Sequence, residues 1–333
     1  MATSVPKILI IRFSSIGDIV LTTPVIRCLR QQLGAEVHFL TKTSFAGVLK
    51  ANPYLSKIWT IDKKVSEILP DLRAEQFSSI IDLHSNLRSR RLRLGLLGIR
   101  AYTFNKLNWQ KWLLTRWKVN RMPDLHIVDR YLAAAAPLGI KNDKKGLDHF
   151  IPEEDKVTPN VYGITTSFVA LVIGAAHATK RLPMEKLREL CQSLNIPVVL
   201  LGGPGDKETG LQIADKLEHV YNLCGELRLH QSADMLRQAE VVISHDTGLM
   251  HMAAALHRPI ISIWGNTVPD FGMYPYLPGQ PTLNISFEVP ALSCRPCSKI
   301  GYNSCPKGHF KCMELQQIQA IAQHAVEKMT SLR

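Results

Sequence analysis

The stretch EVVISHDTGLMHMAAALHRPIISIW, residues 240–264, combines two strand-like runs with a helix-like segment between them. The runs are Glu240–Ser244 and Ile260–Trp264, and the segment between them carries apolar side chains at helical spacing, namely Leu249, Met252, Ala253 and Leu256. This order predicts two parallel strands joined by a crossover helix. The polar corner Ser244–Gly248 stands where the first strand gives way to the helix. Its carboxylate, hydroxyls and glycine are candidates for ligand contacts.

The same alternation runs along most of the chain. Further strand-like runs are Lys7–Phe13, Glu36–Leu40, Ile58–Ile61, Ser79–Leu83, Val169–Ile173 and Pro197–Leu201. Further helix-like stretches are Gly17–Leu33, Pro183–Leu194 and Asp206–Leu217, and the helix of the first motif is expected over Asp246–His257. Short apolar strands that alternate with helices predict an α/β fold with parallel sheets covered on both faces.

The pattern restarts after residues 151–168, a polar stretch with two prolines and a glycine. A length of 333 residues with 46% hydrophobic residues is enough for two domains with cores of their own. We therefore predict a Rossmann-like N-terminal domain over residues 1–155 and a second one over residues 165–333. They are expected to be doubly wound and to face each other across a cleft. The second would end in a cysteine-rich tail and a helix at Glu314–Lys328.

The formal net charge of +12 favours an acidic partner, which could be a phosphorylated ligand, an anionic membrane surface or nucleic acid. No recognised nucleic-acid motif accompanies this charge, so a nucleic-acid partner is not expected. No apolar run approaches the ~20 residues that span a bilayer. The N-terminus lacks the pattern of a signal peptide, and a cytoplasmic protein is expected.

Positive charge is concentrated between His84 and Met122, where ten Lys or Arg occur without Asp or Glu. Three of the five tryptophans, Trp109, Trp112 and Trp117, lie in the same stretch. Tryptophans beside basic residues are typical of peripheral membrane contact. The alternative is a solvated basic face whose tryptophans are buried in the core.

Three polar corners follow strand-like runs, the position at which open parallel sheets bind ligands. They are RFSSIGD at residues 12–18, GAAHATKRLP at residues 174–183 and SHDTG at residues 244–248. Neither a Gly-x-Gly-x-x-Gly fingerprint nor a P-loop is present in them. Asp18 could be a helix cap or a carboxylate that accepts a proton.

The other two corners suit a phosphate group. Asp246 is expected at the N-cap of the helix, and Thr247 and Gly248 offer a small surface at its positively polarised N-terminus. Lys180 and Arg181 could neutralise a diphosphate. The alternatives are a bare helix cap and a solvated basic pair. No Asp-x-Asp motif is present, which favours a mechanism without a metal-bound diphosphate.

The segments RFSSIGDIVLTTPVIRCLR, GAAHATKRLP and DTGLMHMAAALHRPIISIWG, with the tail CRPCSKIGYNSCPKGHFKCM, resemble the lipopolysaccharide heptosyltransferase family, glycosyltransferase family 9. The resemblance spans nearly the whole chain. It implies a GT-B fold and an inverting, metal-independent glycosyltransferase without a cofactor. The donor would be ADP-heptose, held mainly by the C-terminal domain, and the acceptor the anionic lipid A–core of lipopolysaccharide. By position, Asp18 matches the catalytic base, Lys180 the donor-phosphate lysine, and Asp246, Thr247 and Gly248 the segment that holds the donor.

Further residues are candidates for substrate contacts. His177, His251 and Thr267 are predicted on the donor side. On the acceptor side the prediction names Ser15, His84, Asn86, Arg88 and Arg91. The alternatives are a packed histidine for His251 and loop positions for His84 and Asn86. Two other functions stay open, a sugar-nucleotide epimerase with the same fold and a non-enzymatic basic module that binds membranes or nucleic acid.

The tail carries four cysteines, Cys294, Cys297, Cys305 and Cys312, in the spacing C-x2-C-x7-C-x6-C. Four thiolates could hold zinc, although the second half is not a C-x2-C pair. The alternative is a set of free or redox-active thiols.

Overall fold

A computed structural model describes residues 5–331, and for residue 331 the backbone only. The strands are β1 (Lys7–Ile11), β2 (Glu36–Lys42), β3 (Lys57–Ile61), β4 (Ser79–Asp82), β5 (Arg100–Thr103), β6 (Val169–Val172), β7 (Val198–Leu201), β8 (Val220–Asn222), β9 (Val241–His245), β10 (Ile260–Trp264) and β11 (Asn284–Glu288). The helices are α1 (Ile16–Val20), α2 (Thr23–Leu33), α3 (Leu69–Ala74), α4 (Leu87–Gly95), α5 (Asn108–Trp117), α6 (Ile127–Ala135), α7 (Met184–Leu194), α8 (Lys207–Ala214), α9 (Leu229–Gln238), α10 (Gly248–Ala255), α11 (Lys311–Glu314) and α12 (Ile318–Ser331).

The chain folds into two compact units. One contains the described residues up to Lys106 together with Leu125–Phe150, and the other contains Leu107–Asp124 and the residues from Ile151 onward. The sequence prediction placed residues 107–124 in the N-terminal domain, whereas the structure groups them with the second unit. The reason is that Leu114 of α5 is buried with Val268 and Phe271 of that unit.

The described residues of the first unit form a five-stranded sheet in the order β3-β2-β1-β4-β5, with all neighbours parallel. Those of the second unit form a six-stranded sheet in the order β11-β10-β9-β6-β7-β8, again with parallel neighbours. The central strands are apolar and buried, as expected for sheets covered on both faces. The predicted α/β class with parallel sheets is confirmed.

The helix predicted over residues 17–33 is two helices. The first, α1, ends at Val20, and the second, α2, begins at Thr23 with Pro24 in its first turn. Proline has no backbone N–H to donate to the preceding turn, so it is tolerated at the start of a helix and not in its interior. The break separates the short helix that carries Asp18 from the longer packed helix α2.

Each sheet contains a point at which the strand order reverses. In the first unit, β1 and β4 are neighbours, and the chain continues from them toward opposite edges of the sheet. In the second unit the same is true of β6 and β9. Ligands of open parallel sheets bind at such switch points, beyond the carboxyl ends of the strands. Asp18 follows β1 and His84 follows β4, while Lys180 follows β6 and Asp246 follows β9.

Across residues 5–331, no helix is both long and apolar enough to cross a membrane.

Candidate active site

In the first unit, the carboxylate of Asp18 is held on both of its oxygens. Ser15 donates to Oδ2 from its backbone nitrogen at 3.1 Å and from its hydroxyl at 2.8 Å. Arg12 Nη2 lies 2.7 Å from Oδ1. Asp18 therefore caps the start of α1, and the same carboxylate remains about a fifth exposed, with a side-chain accessibility of 21%.

Arg12 is itself fixed by buried partners. Its Nη1 donates to the backbone oxygen of Leu83 at 2.6 Å and to the hydroxyl of Tyr131 at 3.0 Å, and its Nε donates to the oxygen of Ser14 at 2.7 Å. Burial alone would raise the pKa of Asp18, but the charge of Arg12 and the hydrogen bonds from Ser15 outweigh it, so the pKa lies below its usual value. Asp18 is consequently ionised at neutral pH.

The candidates for acceptor contacts follow β1 or β4, and their side chains make different contacts. His84 packs edge-on against Phe13 at 5.0 Å, and the Arg88 guanidinium lies 5.9 Å from the centre of that ring. Burial and the charge of Arg12 lower the pKa of His84 to about 3, so its imidazole is neutral. Asn86 caps α4, because its Oδ1 accepts a hydrogen bond from the backbone nitrogen of Ser89 at 2.9 Å. Arg91 is exposed on α4.

In the second unit, the structure brings three predicted residues together. Lys180 Nζ lies 2.5 Å from Asp246 Oδ2, and the hydroxyl of Thr267 donates to the same oxygen at 3.0 Å. The side chains of Lys180 and Asp246 are 15% and 13% exposed, so the pair is mostly buried but open to a ligand. They are supplied by the segments after β6, β9 and β10, which are neighbours in the sheet.

The N-cap of α10 is Thr247 and not Asp246, which corrects the sequence prediction. Thr247 has extended backbone angles, and its hydroxyl accepts from the nitrogen of Met250 at 3.4 Å. Gly248 is the first helical residue. Because the hydroxyl of Thr247 serves as the cap, the Asp246 carboxylate is available for Lys180 and Thr267.

Three further candidate residues near these corners make contacts outside the Lys180–Asp246–Thr267 cluster. Arg181 does not join Lys180; it pairs with Asp206 at 2.9 Å and donates to the backbone oxygen of Ala175 at 2.8 Å. The side chain of His177 packs against Gly301, and its Nδ1 is buried without a hydrogen-bond partner among the described residues. His251 is buried in α10.

The four tail cysteines do not come together as a ligand set among the described residues. All four are free thiols, and within residues 5–331 no three of their sulfur atoms come as close together as metal ligands do. One such group of side chains exists elsewhere, formed by Glu36, His38 and Glu75.

This group is already satisfied by protein partners. Lys7 and Lys57 pair with Glu75 at 2.7 and 3.0 Å, and His38 bonds to Glu36 and Trp59 through its two ring nitrogens. Those residues fit a structural ion-pair network and not a metal centre.

Sequence reasoning missed two residues of the Asp18 corner and one of the other unit. Arg12 stands in the quoted corner, but its buried pairing could not be read from the sequence. Tyr131 contacts it from 119 positions away. Asp206 was counted only as the start of a helix. A charged residue in an otherwise apolar strand end was the one available signal for Arg12.

The comparisons with known proteins decide the family. The family model described as Glycosyltransferase family 9 (heptosyltransferase) matches residues 66–301. The chain belongs to glycosyltransferase family 9.

Two relatives are distant in sequence and differ in how much of the chain they match. Lipopolysaccharide heptosyltransferase 1 of Campylobacter coli is 24% identical over 294 residues, which cover 78% of this chain and 84% of that protein. Lipopolysaccharide heptosyltransferase 2 of Escherichia coli K12 is 30% identical over 164 residues, and the match spans 44% of this chain and only 47% of that protein.

A solved structure shows the same fold. The structure of E. coli ADP-heptose lipopolysaccharide heptosyltransferase II superposes with a TM-score of 0.73 at 20% identity, covering 98% of this chain and 99% of that one. The predicted GT-B fold is confirmed.

Proposed function

We propose that this protein is an inverting heptosyltransferase that moves a heptose from ADP-heptose to the inner core of lipopolysaccharide. Membership of family 9 and the names of its relatives support the reaction class. The observation that carries the site assignment is the pairing of Lys180 with Asp246 and Thr267 at the switch point of the second sheet.

The donor diphosphate would bind at this corner. Lys180 supplies a positive charge, and the first N–H groups of α10, opened by the small residues Thr247 and Gly248, supply a second attraction for phosphate. Asp246, Thr267, His177 and His251 are proposed to orient the donor. Charge-assisted and helix-terminal hydrogen bonds can stabilise a departing diphosphate, so we propose a mechanism that needs neither metal nor cofactor.

The acceptor hydroxyl would be activated by Asp18. As the acceptor oxygen forms its bond to the anomeric carbon, the bond to the diphosphate breaks, the proton passes to the Asp18 carboxylate, and the leaving group departs as the nucleoside diphosphate. Displacement from the opposite face inverts the anomeric centre. A positioned base typically contributes roughly 10²–10⁴-fold. Arg12 and Ser15 fix the carboxylate and keep it ionised.

The acceptor would be the anionic lipid A–core. Arg88 and Arg91 are proposed to pair with its phosphate or carboxylate groups. Ser15, neutral His84 and Asn86 are proposed to bond its hydroxyls. Asn86 retains its amide N–H groups for this, because its oxygen caps α4. Since this acceptor is lipid-linked, we propose that the enzyme works in the cytoplasm as a peripheral protein on the inner membrane.

The test is a transfer assay with a panel of nucleotide sugars, with and without lipid acceptor. We expect nucleoside diphosphate to be released only when ADP-heptose and acceptor are both present, and we expect EDTA to leave the rate unchanged. Conversion of the donor sugar without acceptor would identify an epimerase instead. A rate that EDTA abolishes and Mg²⁺ restores would refute the metal-free mechanism.

A further inference from the structure

Helix α5 carries a cluster of exposed tryptophans, which we call the tryptophan face: Trp109, Trp112 and Trp117. Their exposed fractions are 64%, 46% and 63%, far above those of core aromatics. Trp109 stacks on Trp112 at 5.1 Å, and Trp117 meets Trp112 edge-on at 6.4 Å. The three rings therefore form one continuous aromatic surface that faces solvent.

The helix is held to its own unit by residues outside the tryptophan face. Leu114 is buried with Val268 and Phe271. Lys118, at the end of α5, donates to the backbone oxygens of Cys294 and Pro296 at 3.2 and 2.7 Å. Asn120 donates to Asp270 at 2.5 Å. Because these contacts fix α5, packing within the unit does not account for three exposed tryptophans.

The surroundings of the tryptophan face are positively charged. Arg116 is exposed and lies on the same side of the helix, seven residues after Trp109 and four after Trp112. Arg121 is exposed just beyond the helix. No acidic residue occurs between Asp82 and Asp124. Exposed indole rings beside cations match the chemistry of an anionic lipid headgroup region.

We propose that the tryptophan face of α5 docks the enzyme on an anionic phospholipid bilayer. The inference rests on the proposed function in one respect, namely that a lipid-linked acceptor lies in a membrane. The proposal places the membrane contact in the second unit, which contains α5. The sequence prediction covered the whole basic stretch from His84 to Met122. Within it, the arginines of α4 belong to the first unit, where Arg93 is paired with buried Asp82 at 3.2 Å and Arg88 lies over Phe13.

The experiment is co-sedimentation with vesicles of phosphatidylethanolamine and phosphatidylglycerol, with phosphatidylcholine vesicles for comparison. Replacing all three tryptophans with alanine should lower the partition coefficient about tenfold or more, because large amphipathic rings are lost. Arg116→Gln with Arg121→Gln should lower it by about fivefold per charge at low salt and much less at high salt. Equal thermal stability and ADP binding check that each variant is folded.

A matched control removes two charges elsewhere. Lys63 and Lys64 are exposed in the first unit, and Lys63→Gln with Lys64→Gln should bind vesicles as the wild type does. An equal loss in this control, or full binding by the tryptophan variant, would overturn the proposal. So would light scattering that shows a wild-type oligomer dissociating in the tryptophan variant, because the surface would then be a protein interface.

Transfer assays separate this proposal from the proposed function. Wild-type protein that binds vesicles but transfers no heptose to a delipidated acceptor would refute the function and leave the docking surface standing. If both stand, the tryptophan variant should lose transfer to acceptor embedded in vesicles far more than transfer to the delipidated one. Equal losses on the two acceptors would contradict membrane docking.

Discussion

At the scale of single residues, the proposed base is held in its ionised form at neutral pH. The Asp18 carboxylate takes hydrogen bonds from Ser15 and an ion pair from Arg12, which lowers its pKa although burial opposes this. A carboxylate with a low pKa is a weak base. Its contribution is therefore expected to come from its position beside the acceptor hydroxyl, with Arg12 as a positioning residue.

Removing the charge of Arg12 should change the pH dependence of the reaction. Arg12→Gln takes away the attraction that favours ionised Asp18, so the pKa of Asp18 should rise. Since the ionised form is active, the acidic limb of the kcat/KM profile should move to higher pH. Arg12→Lys keeps the charge and should leave the limb near its original position. An unchanged limb in Arg12→Gln would show that Asp18 is not the group that titrates.

The candidate site residues could be selected from the sequence because they follow strands. Asp18, Lys180, Asp246 and Thr267 all stand just after apolar runs, and the carboxyl ends of parallel strands share one edge of a sheet. Their partners were harder to predict. Whether a cation such as Arg181 turns to Asp206 or to a ligand depends on tertiary contacts that no local pattern encodes.

At the scale of secondary structure, the sequence predicted the central strands of both described sheets and the edge strand β3, but not the other edge strands. Strands β5, β8 and β11 were not predicted, and all three lie at sheet edges with partly exposed side chains. Edge strands are covered less completely, so their sequences, such as RAYT and NISFE, lack the continuous apolar run of a buried strand. The basic and aromatic character of the stretch that forms α5 is visible in the sequence. The attachment of this helix to the second unit could not be predicted from it.

Strand β9 ends in a buried histidine that should make stability depend on pH. His245 Nε2 accepts from the backbone nitrogen of Leu182 at 3.0 Å, and burial with the nearby Arg181 charge lowers its pKa to about 3. The pKa of folded His245 lies below the unfolded value of about 6.5. Its contribution to the free energy of unfolding is therefore complete well above pH 6.5 and is lost progressively as the pH drops below that value.

The expected slope is at most about 1.4 kcal/mol per pH unit from this histidine. The slope is measured by urea unfolding of the wild type and His245→Gln at pH 7.5 and 5.5, about one unit either side of the pKa of an unfolded histidine. The variant should lose less stability than the wild type on acidification, with His84 giving a further loss in both. Identical losses would mean that His245 does not resist protonation in the fold.

At the scale of the whole molecule, the two units are proposed to divide the chemistry. The first unit carries the proposed base and the acceptor candidates, and the second carries the proposed diphosphate corner and the tryptophan face. The acceptor candidates and the diphosphate corner each follow neighbouring strands of their own sheet, which is where alternating apolar runs predict ligand contacts. The tryptophan face does not follow this rule, because α5 comes after β5 of the first sheet. The net charge of +12 suits anionic donor, acceptor and membrane alike.

The most direct test of this division is to measure ADP binding, adenosine binding and turnover for Asp18→Asn and Lys180→Ala, with Arg181→Ala as the control. Asp18→Asn should lower turnover roughly 10²-fold or more and leave ADP affinity nearly intact. Lys180→Ala should weaken the binding of ADP by about 1.5–3 kcal/mol more than the binding of adenosine. Arg181→Ala should change the binding of the two ligands equally. Near-normal turnover in Asp18→Asn would reduce Asp18 to a helix cap, and equal weakening of ADP and adenosine in Lys180→Ala would contradict the diphosphate site.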